Sequence, residues 1–228
     1  MDSNSTADGI VSSLRDADLA SRRSFLRRSA AAGAGALALA AGSSNAVLAH
    51  ETAEDQSDVD VLNFALTLEH LEYAFYRDGL ERFDASDFRK ANTLNGFANR
   101  VKGDVRSNLE VIRDHEETHV DTLTSVIESL GGTPVEEAGY EFGLDDADDL
   151  LAVAAVLENT GVSAYDGAIG LIESADLLTA GATIATVEAR HASYLNLLNG
   201  DSPFPAAFDE AASMEETLDA AGGFIVDC

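Results

Sequence analysis

From Asp58 onward, apolar residues recur every three or four positions, which is the period of a helix with one buried face. Four stripes of this kind follow one another, at residues 62–76, 105–130, 151–169 and 177–198. The second stops at Gly131-Gly132 and the fourth at Asn199-Gly200, both typical helix ends. No sustained period-two run marks a strand. Four helices, each about 20 residues and about 30 Å long, predict an all-α four-helix bundle.

The connections indicate how the helices are arranged. Residues 84–101 join the first two helices and have room for a short helix. Residues 131–146 join the second and third, which is long for a helix hairpin and predicts a crossover in an up-down-down-up bundle. Ser202-Pro203-Phe204-Pro205 then ends the helical pattern. We therefore expect the bundle at 50–200 and a C-terminal extension packed on it at 201–228.

The first 49 residues have a different pattern. SRRSFLR at 21–27 is a twin-arginine sequence, an Ala/Gly/Leu run follows at 30–42, and Val47-Leu48-Ala49 supplies small residues before His50. This order predicts a signal peptide at 1–49 and export by the twin-arginine route to the cell surface or medium. The alternative is an uncleaved amphipathic helix. The run is shorter than the roughly 20 residues of a spanning helix, so stable membrane insertion after processing is not expected.

Charge narrows the possible partners. The chain has 41 acidic and 14 basic residues and a net charge of -27. Such a surface repels phosphates, which argues against binding nucleic acid or anionic membranes. It suits a protein that works in concentrated salt, a halophilic adaptation, although the acidity could instead serve a binding partner. The single cysteine, Cys228, excludes an intrachain disulfide and a thiolate metal site.

Several ionisable residues fall on the apolar stripes. They are Glu69, Glu116, His119, Glu158, Glu188 and His191. Unpaired carboxylates in a protein core cost several kcal/mol each, so these must be paired, protonated or bound to cations. Two divalent cations would offset four carboxylate charges, with imidazole nitrogens completing the coordination.

The spacing on two helices makes this hypothesis specific. Glu116-x-x-His119 and Glu188-x-x-His191 each place both side chains on one side of a helix. Two such pairs, with one glutamate from each of two other helices, form the ligand set of di-iron and di-manganese bundles. Carboxylate-rich sites suit iron or manganese better than copper. We expect two Fe or Mn ions; the alternative is a vestigial polar core.

The first and third helices resemble repeats of one another. Tyr76 follows Glu69 by seven residues, and Tyr165 follows Glu158 by seven. These tyrosines have either a role near the metals or a place as core aromatics with a bonded hydroxyl. Glu72 is a possible further ligand, but Glu69 is favoured because the position equivalent to Glu72 in the third helix is a glycine.

The remaining histidines are less informative. His115 adjoins Glu116 and could lie behind a ligand, whereas His50 and His70 are expected at the surface. Residues 115–119 also spell H-E-x-x-H, the motif of zinc metallopeptidases. That alternative needs a third ligand and an open cleft, and it leaves four buried ionisable residues on the other helices without a role.

The segments NFALTLEHLEYAFY, IRDHEETHVDTL, VEARHASYL and SPFPAAFD resemble the ferritin-like family that includes desiccation-related proteins. The resemblance extends from about Asp58 to Asp209. It implies an exported ferritin-like bundle with the six ligands given above. The biochemistry of the family is poorly defined, so two hypotheses stay open: a redox enzyme whose dinuclear site reacts with oxygen or peroxide, ferroxidase- or catalase-like, in stress protection, and a non-catalytic stress protein. The metal, the substrate and the oligomeric state stay open.

Overall fold

The computed structural model describes residues 57–226. Their helices are α1 (Asp58–Arg82), α2 (Ala85–Lys90), α3 (Asn99–Ser129), α4 (Ala147–Ala168), α5 (Ala175–Asn199) and α6 (Met214–Ala221). A 3-10 turn at Ile169–Leu171 follows α4. The predicted signal peptide, His50 and Cys228 lie outside the described residues.

Helix boundaries follow local capping chemistry. Ser57 begins α1 in a capping box with Asp60, because each side chain bonds the other residue's backbone N–H. The side chains of Asp146 and Ser174 accept hydrogen bonds from the first turns of α4 and α5. The last helix of the bundle, α5, ends where Gly200 adopts a φ of 87°, which a glycine does without steric cost.

Hydrogen bonds between helices define their directions. Arg106, near the start of α3, donates to Leu80 O near the end of α1, so these helices are antiparallel. The bonds of Tyr76 to Glu158 and Tyr165 to Glu69 make α1 and α4 antiparallel as well. Consequently α3 and α4 run parallel. The predicted all-α, ferritin-like four-helix bundle is confirmed.

The connection between α3 and α4 is the crossover that parallel helices require. It runs along α1, where Val135 N donates to Asn63 Oδ1 and His70 Nε2 lies 3.3 Å from Val135 O. Arg77 further along α1 pairs with Glu137. His70, expected at the surface, is half-buried by this contact.

Two short strands were not predicted. Gly139–Tyr140 (β1) in the crossover pairs antiparallel with Ile225–Val226 (β2) near the end of the chain. Because each strand has two residues, neither can show a period-two pattern in the sequence. The pairing holds the C-terminal segment against the crossover. The preceding part of the extension packs on α4, where Ala212 N donates to Ser163 O.

The core consists of two apolar clusters along the bundle. The larger one contains Phe75, Leu109 and Leu150, and the smaller one contains Leu66 and Ile127. On α3 and α5, the buried glutamates and histidines lie between residues of the two clusters. Among the described residues, no helix is long and apolar enough to cross a membrane.

Candidate metal centre

The six predicted ligands come together in the middle of the bundle. Each is at most 8% exposed. They form two groups of four whose possible ligand atoms lie within 4.8 Å of one another. The first group is Glu69, Glu116, His119 and Glu188; the second is Glu116, Glu158, Glu188 and His191.

His119 is the centre of the first group. Its Nδ1 lies 2.9 Å from Glu116 Oε2, 3.1 Å from Glu69 Oε2 and 3.2 Å from Glu188 Oε1. Carboxylates from three different helices therefore surround one imidazole nitrogen. Such a set of three oxygens and one nitrogen could hold one cation.

His191 occupies the same place in the second group. Its Nδ1 lies 3.0 Å from Glu116 Oε1, 3.3 Å from Glu158 Oε2 and 3.8 Å from Glu188 Oε2. Glu116 and Glu188 each direct one oxygen to His119 and the other to His191. They are thus placed to bridge two ions, while Glu69 and Glu158 would each bind one.

The tyrosines connect the two groups crosswise. Tyr76 on α1 donates to Glu158 Oε1 on α4 at 2.6 Å, and Tyr165 on α4 donates to Glu69 Oε1 on α1. A tyrosine seven residues from a glutamate is about 10 Å further along the same helix, too far to reach it. The antiparallel arrangement of α1 and α4 brings it to the opposite glutamate. The sequence showed the repeat but not this exchange.

Several buried ligand atoms have no hydrogen-bond partner within the described residues. They are Glu116 Oε1, Glu158 Oε2, both oxygens of Glu188 and His191 Nδ1. The ion-pair distances at these atoms are 3.0–3.8 Å. Buried polar atoms are rarely left without a partner. A pair of cations would bind all of them, so the residues present fit the implied metals.

Burial and neighbouring charges shift the pKa values of the buried carboxylates in different directions. Burial raises the pKa of Glu69 to about 8, despite the hydrogen bond with His119. Burial and repulsion from Glu188 also raise the pKa of Glu158 well above its usual range. Burial would raise the pKa of Glu188 too, but the two histidines outweigh it and lower that pKa to about 2. Without cations, protons on the histidines and some carboxylates must balance the core charge.

The pKa values of the two histidines reflect the same competition between burial and neighbouring charges. Burial would lower the pKa of His119, but its close contacts with Glu116, Glu188 and Glu69 raise it to about 12. The corresponding contacts with Glu116, Glu158 and Glu188 raise the pKa of His191 to about 12. Without metal, these contacts favour the protonated form of both histidines.

His115 lies behind a ligand rather than among the ligands. Its Nδ1 is 2.9 Å from His191 Nε2, and the two rings stack at an interplanar angle of 15°. His191 therefore presents Nδ1 to the carboxylates and Nε2 to His115. Because His115 belongs to neither group, the structure does not assemble the H-E-x-x-H residues into a zinc-peptidase site.

Glu72 is buried next to the site but is not part of either group. Burial and repulsion from the nearby ligand glutamates raise its pKa well above its usual range. The structure thus places Glu69, rather than Glu72, among the α1 residues that could hold a metal.

An up-down-down-up bundle with Glu and Glu-x-x-His groups at its centre defines the ferritin-like class of carboxylate bundles. In agreement, residues 57–201 match the family described as Ferritin-like domain, and the chain belongs to that family. The predicted family resemblance is confirmed.

More specific relatives are distant. Protein rds1 of Schizosaccharomyces pombe is 24% identical over 174 residues, covering 75% of this chain and 40% of that protein. The chain thus spans less than half the length of this relative. A conserved hypothetical protein from Mycobacterium tuberculosis, known from a crystal structure, is 24% identical. The alignment covers 65% of this chain and 94% of that one, with a TM-score of 0.48.

Proposed function

We propose that this protein binds two iron or manganese ions between α1, α3, α4 and α5 and uses them in redox chemistry with oxygen or peroxide. The observation that carries the proposal is the pair of ligand groups sharing Glu116 and Glu188. Two ions held by common carboxylates can exchange electrons with one substrate. When bound, such a pair supplies one-electron oxidation or reduction at each ion.

The chain's own residues would hold the metals and orient the ligand side chains. Glu69 and Glu158 receive hydrogen bonds from Tyr165 and Tyr76, which fix the carboxylate planes. In the tautomer of His191 with its proton on Nε2, that N–H would donate to His115 Nδ1 and leave His191 Nδ1 free to bind a metal. The apolar clusters on either side exclude bulk water from the centre.

Metal content tests the binding part of this proposal. Protein purified from its own host should contain about two Fe or Mn ions per chain by elemental analysis. Glu116→Gln and Glu188→Gln should each lose at least one ion, because each residue serves both groups. Glu117→Gln is the matched control, since Glu117 is exposed on the same helix and should lose none. One zinc per chain that depends on His115 would contradict the proposal.

A second candidate is a non-catalytic stress protein in which metals only stabilise the bundle. The depth of the site favours this structural role of the metals, because all six ligands are buried. A measurement of catalytic turnover distinguishes the redox enzyme from the non-catalytic protein. Metal-loaded protein that consumes peroxide or oxidises ferrous iron with multiple turnovers supports redox catalysis. Loaded protein that is more stable but shows no turnover supports the structural role.

We further propose that the chain is exported. SRRSFLR at 21–27 and the small residues before His50 support this. Folding before export would allow the protein to acquire its metals in the cytoplasm. In the native host, Arg22→Lys with Arg23→Lys should retain the protein in the cell, and the exported wild type should begin near His50. Extracellular protein that still begins at Met1 would show that no cleavage occurs.

A further inference from the structure

Glu72 is a buried carboxylate that the proposed metal centre does not use. It is 3% exposed and makes no hydrogen bond or ion pair with any of residues 57–226. An unpaired carboxylate in a core is costly, and the nearby ligand glutamates add repulsion. A residue placed so unfavourably needs a partner that the chain does not provide.

The fold makes room for this side chain. A Cβ atom at Gly161 on α4 would lie 3.0 Å from Glu72 Oε1, so a larger residue there would displace the carboxylate. Gly161 is also the counterpart of Glu72, since each follows a ligand glutamate by three residues. The bundle therefore has this additional buried carboxylate on α1 but not at the equivalent position of α4.

A small cavity beside Glu72 lies next to a groove at the protein surface. Glu72 and Gly161 line a cavity of about 30 Å³ beneath the C-terminal extension, which exceeds the roughly 10–15 Å³ that one water molecule needs. Val156, Thr160 and Ala220 line both this cavity and an open groove of about 720 Å³ between α4 and the extension. The groove and the cavity thus share a wall near Glu72, and movement of these three side chains would join them into one passage.

The polar groups of the groove suit a hydrated cation. Asp201 and Glu216 contribute carboxylates, whereas the amide groups of Asn159 and Asn196 hydrogen-bond to each other across the groove. Oxygen ligands of this kind bind divalent cations such as Mn²⁺. The net charge of -27 also raises the cation concentration near the surface.

We propose that this passage admits divalent cations to the dinuclear centre and that Glu72 binds each arriving cation in transit. The inference rests on the proposed metal site and adds to it an access route and a transit ligand. Two divalent ions balance the four ligand carboxylates, so the Glu72 carboxylate, which gives up its proton when it binds a cation, lies outside this balance and need not retain a third ion.

The other cavity that reaches the centre does not suit a cation. It has a volume of about 50 Å³ and extends to Tyr165 from the end of the bundle where α1 begins. Its walls are almost entirely apolar, with side chains such as Leu62, Leu123 and Ile184, and no charged residue lines it. A cation would lose its hydration there without gaining a ligand.

The rate of metal loading tests the proposal. Metal-free protein is mixed with Co²⁺ in a stopped-flow instrument, and the visible absorption of bound Co²⁺ is followed. Glu72→Gln should load about tenfold more slowly or worse, because it removes the carboxylate that would bind the arriving cation in a poorly solvated passage. Its final content should remain two ions per chain. Glu81→Gln is the control, since Glu81 is exposed on the same helix and should load at the wild-type rate.

A second pair of variants tests the passage without changing a buried residue. Val156 is 59% exposed at the wall shared by groove and cavity, and Val111 is 51% exposed on α3, away from both. Val156→Trp should slow loading, whereas Val111→Trp should not.

Three outcomes would overturn the inference. Wild type that binds no Co²⁺ would overturn the proposed function together with this route. Wild type that loads two ions, with Glu72→Gln loading equally fast, would overturn the route alone. A final content of one ion in Glu72→Gln would make Glu72 a resident ligand.

Discussion

Glu116 and Glu117 are neighbouring glutamates on α3 with opposite environments. Glu116 is fully buried between both histidines, whereas Glu117 is exposed and accepts a hydrogen bond from Tyr73. A helix turns by about 100° per residue, so one position moves a carboxylate from the core to the solvent. At the residue scale, position on the stripe therefore decides which acidic residues can take part in the site.

The crosswise tyrosine bonds give a first prediction. In metal-free protein, Tyr76→Phe should lower the free energy of unfolding by about 1–3 kcal/mol, because Glu158 Oε1 loses its partner. Tyr165→Phe should have a similar effect through Glu69. Urea denaturation monitored by circular dichroism measures both. Tyr73→Phe is the control, since its hydroxyl contacts an exposed carboxylate and should change stability by less than about 0.5 kcal/mol. Equal effects in all three variants would contradict the argument.

The stability of metal-free protein should fall as the pH rises from 6 to 9. The folded pKa of Glu69, about 8, lies above its ordinary 4.5, so its contribution is complete below pH 4.5 and lost through pH 8. The pKa values of His119 and His191, about 12 against 6.5, act in the same direction from pH 6.5 upward. Glu188 acts oppositely, but its contribution is lost only as the pH falls from 4.5 through 2. Together these groups stabilise the folded state most near pH 4.5, and their contribution falls as the pH rises, more steeply above about pH 6.5.

Thermal denaturation at several pH values, with and without metal, measures this effect. We expect the Tm of metal-free protein to drop by about 5 °C or more between pH 6 and 9. Glu69→Gln should weaken the dependence, because the group that titrates near pH 8 is gone. Metal-loaded protein should show the opposite trend, since binding displaces protons from the ligands and strengthens as the pH rises. A flat profile without metal would exclude a charged imidazolium–carboxylate core.

At the scale of the helices, the sequence predicted what depends on local periodicity. The four long helices, the crossover and the six clustered residues follow from stripe spacing and stop signals. The sequence could not predict contacts that depend on how the helices face one another. Examples are the crosswise hydrogen bonds of the two tyrosines and the stacking of His115 on His191. The pairing of β1 with β2 also joins segments far apart in the chain. The signal peptide and its cleavage remain predictions.

The C-terminal extension gives a prediction at this scale. Gly167 on α4 faces Ala212 O, and a Cβ atom there would collide with that backbone oxygen. Gly167→Ala should therefore lift the extension from α4, although alanine normally favours a helix by about 0.5–1 kcal/mol. Hydrogen exchange at Ala212, whose N–H donates to Ser163 O, should become much faster. Gly103→Ala on α3 is the matched control, because nothing lies within 4 Å of its added Cβ and the helix should become more stable.

At the scale of the whole molecule, charge is the dominant property. Residues 50–228 hold 37 acidic and nine basic residues. Pairs such as Arg77 with Glu137 and Arg113 with Asp114 are partly exposed and contribute little each. Most surface carboxylates thus repel one another, and this repulsion is relieved on unfolding because the charges move apart.

Salt should therefore stabilise the folded chain. Raising NaCl from 0.1 M to 2 M shortens the Debye length from about 10 Å to below about 3 Å and screens the repulsion between surface carboxylates. We expect the Tm to rise by about 5 °C or more over this range, since each kcal/mol corresponds to about 2–4 °C in a domain of this size. NaCl is preferred to sulfate, which strengthens apolar burial in any protein. An equally concentrated solution of glycine, which has no net charge, controls for solute effects that do not involve screening. A Tm that stays level or falls in NaCl would show that surface repulsion does not limit stability and would remove the argument for adaptation to concentrated salt.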